Sequence, residues 1–180
     1  MLRLILLRHA EAAALSGGGD AERALTLTGR AQARVMGDYL ACQNLMPDLA
    51  VVSAARRARE TMKIALEDGD ARLPILEEPR LYLAEPHVLL ELIRMTPSSV
   101  RCLLCVGHNP GLHDYAMQMI ASEQGQGKGK GKGKAKARAD LQYGLPTAGL
   151  IVIDFDAARW DDVQMGTGTL ERFITPDDLR

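Results

Sequence analysis

Residues 2–11 read Leu2-Arg3-Leu4-Ile5-Leu6-Leu7-Arg8-His9-Ala10-Glu11, and this stretch decides the fold. From Leu2 to Leu7 it is apolar throughout apart from Arg3. That is the pattern of a strand covered on both faces, not of one alternating between core and water. Leu49 to Val52, Val100 to Val106 and Gly149 to Phe155 have the same character, and Val163 to Met165 reads as a short fifth strand. Helical patterns lie between them. Thr28 is placed to cap a helix running to about Gln43, with Ala31, Val35, Met36 and Leu40 on one side. Arg56 to Leu66 continues as helix. Pro86 fits the first turn of another, whose apolar face carries Val88, Leu89, Leu92 and Ile93. Asn109-Pro110-Gly111 opens a helix to about Ala121. Strands separated by helices predict an α/β fold: a three-layer sandwich with a mostly parallel central sheet flanked by helices.

The chain has 180 residues, 47% apolar and 25% charged, the balance of an ordinary globular protein. A single domain over residues 1–180 is expected, large enough to bury its own core without disulfide or metal staples. The apolar runs are far shorter than the ~20 residues of a membrane span. The N-terminus does not read as a secretory signal. A cytoplasmic location and no membrane partner are therefore expected.

The net charge of −1 conceals two parts. Lys128, Lys130, Lys132, Lys134, Lys136 and Arg138 lie together without acids. Leaving them out reduces the 22 basic residues to 16 against 23 acidic ones, a balance of −7. The segment 125–139, GQGKGKGKGKAKARA, has no large apolar residue to offset its ordering entropy. It reads as a mobile, solvated low-complexity insert at about 124–140. It has neither an aromatic platform for bases nor the geometry to read sequence, so no nucleic acid partner is expected. Cys102 and Cys105 form a C-x-x-C, but inside a buried strand positions three apart face opposite sides. They read as structural thiols, not as a metal or redox pair.

Three strand ends hold the chemistry. The first strand runs into Arg8-His9-Ala10-Glu11, the second ends near Ser53 four residues before Arg57, and the third runs into His108-Asn109-Pro110-Gly111. In open α/β sheets, ligands bind at the carboxyl ends of parallel strands. If these strands are neighbours, two histidines and two arginines meet at one mouth, a set suited to phosphate. Arginine's planar fork donates two hydrogen bonds to phosphoryl oxygens and stays charged. A neutral imidazole can attack phosphorus, splitting hydrolysis into two displacements. A second histidine, protonated, can stabilise the oxygens during transfer. No metal-ligand cluster and no cofactor motif is present. Gly17-Gly18-Gly19 lacks the Gly-Lys-Ser/Thr of a phosphate loop and reads as a mobile rim. His87 and His113 match no catalytic pattern and read as surface or packing residues.

These segments resemble the histidine phosphatase, or phosphoglycerate-mutase-like, superfamily. Leu7-Arg8-His9-Ala10 is similar to its Leu-Arg-His-Gly/Ala signature. Leu25-Thr26-Leu27-Thr28-Gly29 with Gln32-Ala33 resembles Leu-Thr-x-x-Gly-x-x-Gln-Ala. Residues Ser53 to Thr61 resemble Ser-x-x-x-Arg-Ala-x-x-Thr, and Val106 to Gly111 the second-histidine motif. Pro146-Thr147-Ala148 and Phe173-Ile174-Thr175-Pro176 are similar to the short SixA-like phosphohistidine phosphatase branch. The resemblance implies that His9 is the nucleophile, that Arg8 and Arg57 bind phosphate, and that His108 completes the catalytic pair. Arg56 competes with Arg57 by adjacency, and the motif spacing favours Arg57. Where larger relatives carry an acid that protonates the leaving group, this chain has Leu83. Glu85 and Glu11 are the nearby carboxylates available to substitute.

The reading is a metal-independent phosphatase with a phosphohistidine intermediate, acting on phosphohistidine of a signalling protein and releasing inorganic phosphate. The alternatives are a phosphatase of small phosphate esters and a phosphate- or phosphoprotein-binding module with little turnover.

Overall fold

The computed structural model describes residues 1–14, 17–67, 69–120 and 132–180. Its centre is β1 (Leu2–Arg8), flanked by β4 (Cys102–Gly107) and β5 (Leu150–Phe155). With β2 (Leu49–Ser53), β3 (Ile75–Glu78) and β6 (Thr169–Ile174) it forms one sheet in the order β3-β2-β4-β1-β5-β6. The pairs β3–β2, β2–β4 and β4–β1 are parallel, whereas β5 runs antiparallel to both of its neighbours. The sheet is therefore mixed and mostly parallel, as the alternation of strands and helices implies.

The two faces of β1 serve two cores. Leu2, Leu4 and Leu6 join one cluster with Leu103 and Cys105 of β4 and Ile151, Ile153 and Phe155 of β5. Ile5 and Leu7 join the other with Leu104 and Val106 of β4 and Leu150 and Val152 of β5. This is why the central strands are apolar without alternation: both faces are covered. The first core is closed by α3 (Pro86–Arg94), α4 (Gly111–Met119) and α5 (Lys132–Gln142), through residues such as Leu89, Ile93, Leu112 and Tyr115. The second is closed by α1 (Leu27–Cys42) and α2 (Arg56–Ala65), through Ala33, Met36, Leu40, Ala58 and Met62. Each buried Leu, Ile or Met among them contributes roughly 1.5–3 kcal/mol by leaving water, and each alanine less. Cys102 and Cys105 do lie on opposite faces, Cys105 in the first core and Cys102 against the second. No helix among the described residues is long and apolar enough to cross a membrane.

Four local expectations need correcting. The cap of α1 is Thr26, not Thr28: the Thr26 side chain accepts from the Gly29 amide. Tertiary contact makes the choice, because Gly29 lies so close to the Glu11 carbonyl that a Cβ would collide with it. The stretch Val163 to Met165 is not a strand. It follows a 3₁₀ turn at Trp160–Asp162 whose Trp160 indole donates to the Val100 carbonyl, and Val163 is buried as a single anchor. Strands β3 and β6 were not anticipated. β3 is an edge strand with largely exposed residues, and β6 interrupts its apolar positions with Glu171 and Arg172.

The fourth correction concerns the basic insert. Its residues 125–131 lie outside the described residues, but 132–139 form the first turns of α5, not a loop. Alanine takes alternate positions here at Ala135, Ala137 and Ala139, and alanine is the strongest helix former. Ala137 packs against the first core, Leu141 just beyond the insert is fully buried, and Lys134 pairs with Glu171 of β6 at 2.5 Å.

Candidate active site

The register of the sheet brings the three strand ends together. Arg8 lies opposite Gly107, and Val52 opposite Val106, so the segments after β1, β2 and β4 leave the same edge side by side. His9 is held in place by the backbone: its amide donates to the Gly107 carbonyl, and its own carbonyl accepts from Ala148. The next amide, Ala10, donates to Thr61 Oγ1, which in turn donates to the Arg57 carbonyl. Buried Thr61 thus ties the loop carrying His9 to the helix carrying Arg57.

His9, Arg8, Arg57 and His108 line one cavity of about 470 Å³. The two imidazole centroids are 5.1 Å apart. Arg57 is 3% exposed and donates from Nε to His9 Nε2 at 3.2 Å. His9 Nδ1 is 2.8 Å from the Ala10 carbonyl. A carbonyl and a guanidinium can be satisfied together in one way only: Nδ1 carries the hydrogen and Nε2 presents its lone pair. Arg56 points outward and pairs with Glu60, so Arg57 is the arginine that reaches the site. Arg8 donates to the Leu145 carbonyl from Nη1, while its buried Nε has no hydrogen-bond partner among the described residues. His108 Nε2 is 2.8 Å from Ser53 Oγ, and its buried Nδ1 is likewise unpartnered.

Burial, reinforced by Arg57, Arg8 and Arg23, pushes the His9 pKa down to about 4. Burial, with the neighbouring His9 and Arg57, pushes His108 down to about 3. Both rings are therefore neutral near pH 7 in the free site. In the empty pocket His108, buried beside His9, Arg57 and Arg8, is neutral; the expected protonated partner requires a bound anion, which raises its pKa. A neutral ring still supplies one N–H. If the Ser53 hydroxyl donates to Nε2, that N–H is on Nδ1.

The two candidate acids fare differently. Glu85 is exposed, lies beside His87 and is not among the residues lining the cavity. Glu11 lines the cavity, but its carboxylate accepts the Thr26 hydroxyl at 2.6 Å. Leu83 is also at the rim, 54% exposed. His113 turns away to the Leu141 carbonyl.

Asp20, Tyr82 and Arg23 line the same cavity and escaped the sequence reading. Asp20, on the turn after the glycine triplet, receives Arg57 at 3.0 Å, Arg23 at 2.9 Å and the Tyr82 hydroxyl at 2.6 Å. These donors, Tyr82 foremost and then Arg23, hold its carboxyl well below the usual range. Tyr82 stands edge-on to His108, ring centroids 5.5 Å apart. The only sequence signal for Asp20 is a carboxylate three residues before Arg23 in an otherwise featureless segment.

A sequence profile described as "Histidine phosphatase superfamily (branch 1)" matches residues 4–82. An uncharacterized Mycobacterium tuberculosis protein, Rv1276c, is 31% identical over 170 residues, covering 94% of this chain and 99% of its own. A structure of the candidate phosphohistidine phosphatase SixA from Agrobacterium tumefaciens is 31% identical, covers 97% of this chain and 98% of its own, and superposes with a TM-score of 0.76. The protein histidine phosphatase SixA in complex with tungstate shares the fold at a TM-score of 0.76 and 18% identity, with 99% and 100% coverage. The chain belongs to the histidine phosphatase superfamily, branch 1.

Proposed function

We propose that the protein is a phosphatase that works through a phosphohistidine on His9 and acts on phosphohistidine carried by another protein. The observation that carries this is the fixed tautomer of His9. Its Nδ1–H is engaged by the Ala10 carbonyl, so the Nε2 lone pair faces the pocket, where it accepts from Arg57 Nε until a phosphoryl group takes over that donor. In the first step Nε2 attacks phosphorus and the P–N bond of the substrate breaks. The electron pair stays on the departing imidazole nitrogen, and a proton already on the other nitrogen lets that ring leave neutral. In the second step water attacks the phosphoryl group on His9, and inorganic phosphate and neutral His9 result. Arg57 and Arg8 hold the equatorial oxygens, and the His108 N–H donates to the same group.

The preference for an N–P bond rests on the acid. An alkoxide leaving group requires a proton donor, and the carboxylates here are engaged or outside the cavity, with Leu83 where relatives carry the acid. A protonated imidazole leaving group has no such need. The SixA likeness supports the same reading. The test compares kcat/KM on a phosphohistidine peptide, phosphoramidate and aryl or sugar phosphates. It also looks for an acid-labile, alkali-stable phosphoryl label on wild type that His9→Ala loses. Faster turnover of the esters overturns the substrate assignment. A label retained by His9→Ala overturns the nucleophile, and a phosphate-binding protein without turnover overturns the enzyme reading.

A further inference from the structure

A second cavity of about 650 Å³ adjoins the histidine site, lined in part by Asp140, Tyr143, Leu145, Pro146, Phe173 and Asn109. The two share a wall. Asn109 lines both, and the segment 145–147 forms their shared wall, with Leu145 and Pro146 on one side and Thr147 on the other. The Leu145 carbonyl accepts from Arg8 at 2.8 Å and from Asn109 Nδ2 at 2.7 Å. One backbone carbonyl therefore couples the arginine of the histidine site to the wall of the neighbouring groove.

The cleft is polar in opposite senses along its length. The histidine end carries Arg8, Arg23 and Arg57. The groove end carries Asp140, which pairs loosely with Lys136 at 3.9 Å, Asp178, whose carboxylate is held by Thr175, and the rings of Tyr143 and Phe173. Tyr143 is 93% exposed there, and the buried Asn109 Oδ1 has no hydrogen-bond partner among the described residues. We propose that this groove holds the polypeptide segment flanking the phosphorylated side chain. The phosphoryl group then lies at His9, and a basic residue of the same segment lies against Asp140. Tyr143 and Phe173 cover the apolar stem of that residue. Two charges of opposite sign, phosphoryl and ammonium, then fix the direction in which the segment crosses the rim.

This rests on the protein-substrate reading, and the experiment separates the two. Paired phosphohistidine peptides, with Lys or Glu beside the phosphorylated residue, are assayed with phosphoramidate as a substrate too small to reach the groove. Wild type is expected to favour the Lys peptide by about tenfold in kcat/KM, for an attraction lost and a repulsion gained. Tyr143→Ala raises KM for the Lys peptide by about five- to tenfold with kcat unchanged. Asp140→Asn narrows the Lys/Glu preference to about threefold or less. Both variants hydrolyse phosphoramidate as wild type does. Peptide turnover by wild type with variants indistinguishable from it overturns the groove assignment alone. Loss of phosphoramidate turnover in Tyr143→Ala also overturns it, showing a structural role. Wild-type turnover of phosphoramidate with neither peptide accepted overturns this assignment and the protein-substrate reading together.

Discussion

Lowering the pH from 7 to 5 destabilises the fold through its two site histidines. Burial holds His9 at a pKa of about 4 and His108 at about 3, against 6.5 for an unperturbed imidazole. Across this interval the unfolded chain binds more protons than the folded one, so stability falls as the pH falls. The contribution is intact above about pH 6.5, declines below it, and levels off beneath the folded-state values. Between pH 7 and 5 each histidine removes roughly 2 kcal/mol, and the pair roughly 3–4 kcal/mol. For a domain of this size the fall in Tm is roughly 6–16 °C. Carboxylates add little in this window, because their unperturbed values lie near 4. The measurement is denaturant unfolding in phosphate-free buffers at half-unit pH steps, on wild type and on His9→Asn/His108→Asn. Wild type is expected to lose stability steeply below pH 6.5, and the double variant to lose much less. Parallel curves for the two proteins would refute the claim that these rings are buried in the neutral form.

Two further outcomes follow from the polar network. Asp20 places a carboxylate on Arg57, the group proposed to hold the phosphoryl oxygens, so Asp20→Asn should tighten inorganic phosphate binding by about tenfold through relief of like-charge repulsion. Titration calorimetry reads this directly, and weaker binding would show instead that the carboxylate holds Arg57 in position. Thr61→Val removes the acceptor of the Ala10 amide and the donor to the Arg57 carbonyl in a fully buried place. It should lower unfolding stability by about 1–3 kcal/mol and reduce kcat as well. A stability within 0.5 kcal/mol of wild type, about the spread of neutral surface changes, would remove Thr61 as the tie between the loop and α2.

The site was legible where chemistry follows directly from strand ends. β1, β2 and β4 are short apolar runs; His9 and His108 follow β1 and β4 at once, whereas Arg57 lies four residues beyond β2 in the first turn of α2 and was picked out by the motif spacing. The choice between Arg56 and Arg57 was legible too: the structure turns Arg56 to Glu60, one helical turn away on the surface. Asp20 and Tyr82 were not legible. They are 62 residues apart in sequence and meet only because the turn at Asp20–Glu22 folds over the mouth. Edge strand β3 lacked the apolar pattern because it covers no core face, and α5 was obscured because its anchor, Leu141, lies just outside the low-complexity run. The cap at Thr26 was hidden for a related reason: two threonines compete, and the contact between Gly29 and Glu11 decides.

The same features that make this site unfavourable for the empty fold make it suited to an anion. Arg57 is buried beside two neutral imidazoles, and Arg8 Nε and His108 Nδ1 are buried without hydrogen-bond partners among the described residues. Each such group lowers stability. An oxyanion that accepts from these donors supplies the partners and offsets the guanidinium repulsion that, after burial, helps keep both rings neutral. Binding is then linked to folding, so phosphate should stabilise the protein in proportion to its occupancy. It is linked to protonation as well, because a bound anion raises the pKa of both rings. Three strand ends hold the backbone of these donors in place before the anion arrives, and Arg57 must exchange its bonds to His9 Nε2 and Asp20 for the anion, so part of the binding energy goes into that exchange.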